Sequence, residues 1–395
     1  MSQRIIKAAC LIVTASITAL FCAQSVAKAS EGCRDLAISH QYEKAVAACT
    51  AAVRKGDLSG AALADMYTWR GFAYKGMGDT AKARADFDRA ITLNPASDVS
   101  YVGRAQVWEK EKKLRAARAD LTKAIEINPR NQAAWENRGI LSYVERKHAE
   151  ALADLNRAIE LDPKNARAFT FRGNAYAALN ENQKAVDDYT KALELNPQEF
   201  LSLLGRAFVE KKAGYYDRAM ADYSRLLEIA PRFWQVHEGR AEIYAIRKEY
   251  GKGIEELTRA IAINPSNVLL YSKRGMMYVF EKKPELALAD FTKAIEIKPG
   301  NPGPYLVRAV LYKDLLQFDR SLADIKKSLE LKPGDVASMI LLARVESLRH
   351  DATEACRWIK AAFDTGKLKD QRFLADEKDF DKIRTSPCFR ELVDR

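Results

Sequence analysis

Histidine is scarce in this sequence: His40, His148, His237 and His350 are the only four in 395 residues. They are widely dispersed and no Cys-x-x-Cys occurs, so the ligand spacing of a structural zinc site is missing. A Walker loop, a G-x-S-x-G elbow, an H-E-x-x-H helix and a dinucleotide fingerprint are missing too. Gly76-Met77-Gly78-Asp79-Thr80 is glycine-rich but lacks the lysine and the spacing of a phosphate-binding loop. Carboxylates are plentiful but scattered over what read as helix surfaces. These absences argue against an enzyme and leave no cofactor or metal to assign. Glycine (19) and proline (12) are too few for a collagen-like or low-complexity chain. Beyond residue 23 no apolar run approaches the ~20 residues that span a bilayer, which predicts a soluble remainder.

What is present is enough apolar residue (48%) to bury a core and enough charge (30%) to solvate it. The formal charge is +11. The basic residues are interspersed with acids and form no tail, so the charge reads as a solvated helical surface, and no nucleic-acid partner is expected.

The N-terminus has its own composition. A short basic stretch carrying Arg4 and Lys7 precedes the apolar run Ala8–Ala23, and Ser25-Val26-Ala27 and Ala27-Lys28-Ala29 offer small-x-small cleavage sites. This is the pattern of a secretory signal peptide over residues 1–29. Sixteen helical residues cover about 24 Å, short of a ~30 Å hydrocarbon core. An uncleaved leader anchoring the chain in the inner membrane, repeats outside the cytoplasm, is the alternative. Phe21 before Cys22 departs from a lipoprotein signal. The expected compartment is the periplasm. Four cysteines remain beyond the leader, Cys33, Cys49, Cys356 and Cys388, two near each end. Three connectivities exist, of which local pairing, Cys33 with Cys49 and Cys356 with Cys388, is favoured by proximity; four buried thiols are the other reading.

All twelve prolines follow residue 94, and eight are periodic: Pro95, Pro129, Pro163, Pro197, Pro231, Pro265, Pro299 and Pro333 stand 34 residues apart. Two alanine columns share the period, one through Ala83, Ala117, Ala151 and Ala185, the other through Ala90, Ala124, Ala158 and Ala192. Between them runs a large apolar column: Phe87, Leu121, Leu155, Tyr189, Tyr223, Leu257, Phe291, Ile325 and Ile359. Apolar residues at i, i+4 and i+7 mark one face of a helix, and proline ends it. Each period therefore reads as two helices, the proline marking the turn to the next. Small residues at the eighth position, such as Gly71, Gly139, Gly173 and Gly275, are expected to face the alanine columns.

These columns resemble the tetratricopeptide repeat (TPR) family, whose pattern is W-x2-L-G-x2-Y, then A-x3-F, A and P. One repeat supplies Trp135 and Gly139, the next Gly173, Tyr176, Ala185, Tyr189, Ala192 and Pro197, and a later one Tyr271, Gly275, Tyr278, Ala287, Phe291, Ala294 and Pro299. The resemblance implies an all-α solenoid of tandem helix-turn-helix units coiled as a right-handed superhelix. Nine repeats occupy 64–366, a degenerate TPR-like cap 30–63, and a helical cap 367–395, where Phe373, Leu374, Phe380, Ile383, Phe389, Leu392 and Val393 form an apolar set. The family also implies a concave groove lined by the first helices. Its ninth positions here are Phe72, Gln106, Ile140, Asn174, Phe208, Glu242, Met276, Val310 and Arg344, with lysines at three twelfth positions, Lys75, Lys211 and Lys313. The Lys/Asn/Arg combination of the chaperone-tail-binding type is absent.

One column departs from the family. Arginine replaces the usual leucine at Arg70, Arg104, Arg138, Arg172, Arg206, Arg240, Arg274 and Arg308. Acids accompany it at Asp86, Asp120, Asp154, Asp188, Asp222, Glu256, Asp290 and Asp324, and both columns stop at the last repeat, where Leu342 and Trp358 stand. Joint loss predicts a structural arginine–carboxylate ladder; an arginine ladder for a polyanion is the alternative. The function read from all this is an exported scaffold that binds a protein or peptide in its groove, in envelope assembly, secretion or stress handling. A membrane-anchored adaptor and a subunit of an envelope-polymer enzyme are the alternatives. Partner identity and oligomeric state are left open.

Overall fold

The computed structural model describes residues 32–368, 374 and 376–393. The leader expected at 1–29 and Phe373 lie outside the described residues. Every regular element among the described residues is a helix, and none is long and apolar enough to cross a membrane. The described residues divide into two compact halves, one ending at Val209 and one beginning at Glu210, the division falling within one helix.

The N-terminal half begins with α1 (32–38) and α2 (Tyr42–Lys55). Four hairpins follow: α3 (Gly60–Gly76) with α4 (Thr80–Leu93), α5 (Asp98–Lys110) with α6 (Leu114–Ile127), α7 (Gln132–Val144) with α8 (His148–Leu161), and α9 (Ala166–Ala178) with α10 (Asn182–Leu195). Helix α11 (Phe200–Lys212) contains the division. The C-terminal half holds α12 (Tyr216–Ile229) and the hairpins α13 (Trp234–Ile246) with α14 (Tyr250–Ile263), α15 (Val268–Phe280) with α16 (Pro284–Ile297), α17 (Pro302–Asp314) with α18 (Phe318–Leu331), and α19 (Val336–Leu348) with α20 (Ala352–Asp364). A 3₁₀ helix, Lys378–Ile383, and α21 (Pro387–Val393) close the chain. Within each half, consecutive helices pack on one another and first helices of neighbouring repeats touch, as α5 does α7 and α17 does α19. Each half is thus a stack of helical hairpins, the α-solenoid architecture.

Local chemistry sets the boundaries. The turn inside each hairpin passes through a left-handed residue, Gly78 or Gly214 in two repeats but Lys112, Arg146, Asn180, Lys248, Lys282, Leu316 and His350 in others. This is the αL helix ending, in which a backbone N–H reaches back across the turn: Lys113 N donates to Trp108 O at 2.8 Å. At the end of the second helix the residue before proline is extended (Asn128, φ −136° and ψ 92°), as the proline ring demands, while its N–H still donates to Ala124 O. Two residues past the proline, Asn131 and Asn165 accept from the backbone of Ala134 and Ala168 at 3.0 Å and start the next helix. Ser97, Asn267, Asn301 and Asp335 do the same. Such caps contribute about 1 kcal/mol each.

Both alanine columns and the large column between them are buried. The eighth-position glycines, however, do not chiefly face alanine. A methyl on Gly71, Gly139, Gly173 or Gly275 would lie within 3.0 Å of Phe87, Leu155, Tyr189 or Phe291 respectively. The expectation is corrected accordingly: the small residue accommodates the large side chain of its own hairpin, because a ring at that position reaches across to the facing backbone. At the C-terminus Leu374, Phe380, Ile383, Phe389 and Leu392 are buried with Ala355, Cys356 and Ile359 of the last hairpin.

Candidate functional site

The arginine column is the most regular polar feature. Arg138 donates from Nε and Nη2 to the two carboxylate oxygens of Asp154, both at 2.8 Å. The same two-pronged bond joins Arg70 to Asp86, Arg104 to Asp120, Arg172 to Asp188, Arg274 to Asp290 and Arg308 to Asp324. The planar fork matches a carboxylate edge, and lysine could not reproduce it. The remaining Nη1 reaches the preceding repeat: Thr122 from Arg138, Asn156 from Arg172, Thr190 from Arg206, Thr258 from Arg274 and Thr292 from Arg308, at 2.8–3.3 Å. The guanidinium groups of Arg138, Arg172, Arg274 and Arg308 each tie together three helices. This polar column escaped the sequence reading, although Thr122, Asn156, Thr190, Thr258 and Thr292 share the period.

One repeat differs. Glu256 is a methylene longer than its counterparts; His237 Nδ1 lies 2.6 Å from one oxygen, and Arg240 Nη2 and Arg259 Nη1 take the other at 3.2 and 3.1 Å. Burial would raise the Glu256 carboxyl, but the His237 hydrogen bond and the two arginines outweigh it and hold it below the usual range.

The first helices carry the candidate groove residues. In the N-terminal half Phe72 is half-buried, its ring 5.1 Å from Phe87 and 5.5 Å from Trp69. Gln106 accepts from Lys75 Nζ. Ile140 packs on the Ala151–Leu155–Ala158 cluster, and Asn174 accepts from the Tyr189 hydroxyl at 2.8 Å. Phe208 is 58% exposed. In the C-terminal half Glu242 accepts from Lys211 and Lys273, and Met276 and Val310 are each 40% exposed. Phe72, Gln106, Ile140, Asn174 and Glu242 thus also hold neighbouring helices or their own hairpin together.

Fifth positions of the first helices, among them Thr68, Glu136, Thr170 and Glu238, are tied in the same manner. Glu136 is buried and accepts from Arg167, Asn165 and Gln132 at 2.7–2.9 Å. Thr68 with Ser100, and Thr170 with Ser202, form hydroxyl pairs at 2.7 Å between adjacent first helices. Lys273 Nζ also meets Glu238 at 2.5 Å. Two groove groups carry opposite penalties of burial: Lys75 is lowered, with Glu109 opposing and Arg167 adding to the effect, and Glu109 is raised against the pull of Arg167 and Lys75. Sequence reading missed Lys273, because it stands at a sixth position, outside the columns expected to line the groove.

The last two repeats hold a carboxylate clamp. Asp379, in the 3₁₀ helix, accepts from Lys313 Nζ at 2.7 Å and Arg344 Nε at 2.6 Å, and Glu377 accepts from Arg344 Nη2 at 3.2 Å. Burial alone would raise Asp379, but the bonds and charges of Lys313 and Arg344 prevail and lower it.

The cysteines fall into two pairs at disulfide distance: Cys33 with Cys49, Cα separation 5.5 Å, and Cys356 with Cys388, 6.1 Å. The first pair ties α1 to α2; the second ties α20 to α21. Among the described residues no group of three or more His, Cys, Asp or Glu side chains converges as a metal site would.

Comparison with known proteins agrees with this architecture. Models of the tetratricopeptide repeat match residues 64–97, 109–166, 166–199, 204–268 and 269–301, more than half of the chain. No curated protein sequence matches it. Among solved structures, a tetratricopeptide repeat protein from Parabacteroides merdae is 25% identical, over 60% of this chain and 93% of its own, with a TM-score of 0.45. Pseudomonas aeruginosa pilF is 19% identical, over 55% of this chain and 96% of its own, at TM-score 0.49. YrrB, a TPR protein with an unusual peptide-binding site, is 22% identical, over 50% and 97%, at TM-score 0.41. With its 34-residue columns, its stacked hairpins and these matched repeats, the chain belongs to the tetratricopeptide repeat family.

Proposed function

We propose that this chain is an exported, non-catalytic scaffold that holds a protein or peptide segment along its first helices, in envelope assembly, secretion or stress handling. The observation that carries the reading is the exposure of Met276 and Val310, large apolar side chains at the same position of successive repeats. Exposed apolar residues at helical-repeat spacing, flanked by charged ties, suit a partner that brings apolar side chains and polar flanks. The domain plan proposed with it is a signal peptide at 1–29, an N-terminal cap at 30–63, nine repeats at 64–366 and a helical cap at 367–395. Two cysteine pairs at disulfide distance fit an oxidising compartment, where such bonds persist.

The test replaces Phe208 and Met276 singly with a photo-crosslinking residue, in the chain expressed with its own leader. Irradiated cells should yield a discrete envelope protein captured from both positions. No adduct from either, with intact protein in the periplasm, would remove the groove reading. Protein that keeps its leader and sediments with membranes would replace the soluble scaffold by the anchored adaptor.

A further inference from the structure

The turns inside hairpins α3–α4, α5–α6, α7–α8 and α9–α10 lie along one edge of the N-terminal half. Arg84 of α4 reaches Glu111 in the next turn, and Arg118 of α6 reaches Glu145 and Glu150 in the one after. Along the chain acids and bases are interspersed, but on this edge they do not cancel. Its acids are already held: Asp79 by Lys82, Glu111 by Arg84 and Lys113, Glu145 by Arg118 and Lys147, Glu150 by Arg118, and Glu181 by Lys184. Lys110, Lys112, Arg115 and Arg146 are exposed, and their side chains make no ion pair or hydrogen bond among the described residues.

Large apolar side chains stand out from the same turns: Met77 is 46% exposed, Val144 59% and Leu179 41%. Beside Val144 is a recess of about 390 Å³ lined by Tyr143, Arg146, His148 and Ala178. His148 Nδ1 is buried with no hydrogen-bond partner among the described residues. The corresponding turns of the C-terminal half also expose apolar residues, but Glu285, Asp314 and Asp319 stand exposed among them. Unpaired cations and exposed apolar tips on one edge fit a partner that offers negative charge with an apolar layer behind it. An anionic bilayer has both, since its headgroups attract Lys and Arg and its acyl boundary accepts apolar side chains. A nucleic acid would meet the cations but leave Met77 and Val144 against phosphate.

We propose that this turn edge docks on the surface of an anionic phospholipid bilayer, with Met77, Val144 and Leu179 at the acyl boundary and a lipid phosphate accepting from Arg146 and His148. The docking is peripheral and stands apart from the groove reading, because the groove positions Met276 and Val310 belong to the other half.

The test is cosedimentation of the full chain, purified from cells, with vesicles of equal parts phosphatidylcholine and phosphatidylglycerol, against phosphatidylcholine alone. The anionic vesicles should carry the chain down and the neutral ones should not. Lys110→Gln, Lys112→Asn, Arg115→Gln and Arg146→Asn together should weaken partitioning more than about a hundredfold, at about fivefold per cation near an anionic surface. Val144→Ser alone should weaken it about threefold or more. Amide exchange on the unaltered chain gives a reading that does not depend on how the variants fold. Anionic vesicles should slow exchange across 110–116 and 144–149 and leave 280–286 unchanged. Absence of sedimentation, sedimentation that the four substitutions leave unchanged, or protection confined to other parts of the chain overturns the docking. Binding to a duplex oligonucleotide that needs the four cations, with none to vesicles, overturns it in favour of a nucleic acid.

Discussion

Replacing Arg138 by methionine tests the ladder most directly. Asp154 is 7% exposed and takes both hydrogen bonds from this one guanidinium, at 2.8 Å each. Removing the cation leaves a carboxylate with no counter-charge in a site closed by α7 and α8. Breaking a buried pair costs ~3–5 kcal/mol. The Arg138 side chain is 19% exposed, so water reaches the orphan in part, and the lower end, about 3 kcal/mol, is expected. Arg138→Lys keeps the charge but makes one bond in place of two, and should cost about 1–2 kcal/mol. The double variant Arg138→Met, Asp154→Leu should return to within about 1 kcal/mol of the parent, since apolar residues of similar volume substitute well for a buried pair. The coupling energy from the cycle is then about 2 kcal/mol or more. Urea unfolding followed by circular dichroism gives the global values. Amide exchange across 114–161 gives the local ones, because a stack of repeats opens in parts as well as whole. A single-variant loss below about 0.5 kcal/mol, or a double variant as damaged as the sum of its parts, would refute the ladder as a structural device. Unchanged stability with lost, salt-sensitive polyanion binding would install the alternative.

Three further outcomes follow from other positions. Leu316 sits at φ 58° and is 71% exposed, so Leu316→Gly should raise stability by about 0.5–1 kcal/mol, because the left-handed strain ends and little packing is lost; a lower melting temperature would contradict this. Cys33→Ser should remove a cross-link worth about 3 kcal/mol and loosen amide protection over 32–58 while leaving α5–α10 protected; unchanged protection of α1 and α2 would show that the pair carries no stability. Asp379 has its pKa depressed in the folded state, so its contribution to cap docking is full above the unfolded value of ~3.9 and fades as pH falls through the lower folded value. Exchange of the cap, corrected for intrinsic rates, should therefore be flat from neutral pH down to about 4 and rise only below it; Asp379→Asn should abolish that rise, and a rise near neutral pH would be inconsistent with the pairing.

Much of the fold could be read before any coordinates, because the signal is repeated. A proline or an alanine that recurs at a fixed interval is sampled many times, and the joint loss of arginine and acid at Leu342 and Trp358 pointed to their pairing. The capping column, from Ser97 through Asn131 and Asn165 to Asp335, was equally periodic and went unread; its members differ in type but share a short side chain with an oxygen. The glycine contacts were misassigned because sequence fixes which residues lie on a face, not how far a tyrosine such as Tyr189 reaches across it. The groove was harder. Phe72 and Met276 occupy the same position, yet Phe72 packs on Phe87 of its own hairpin and Met276 is exposed, although Phe291 stands where Phe87 does. Hardest was the Asp379 contact with Lys313, which joins a non-repeating tail to a repeat through tertiary folding alone.

The guanidinium that bonds forward to its own hairpin and back to the preceding one has a consequence for how such a chain can change length. From Arg70 to Arg274 each 34-residue window carries one arginine, one carboxylate and one short oxygen-bearing side chain, the last placed for the arginine of the window that follows, as Thr122 is for Arg138. Excising or duplicating one whole window, as from Arg138 to just before Arg172, leaves every remaining fork facing a partner. Inserting a single residue in a hairpin turn shifts the fork against its carboxylate and spoils that bond. The ladder therefore tolerates growth in whole repeats and resists it in anything smaller.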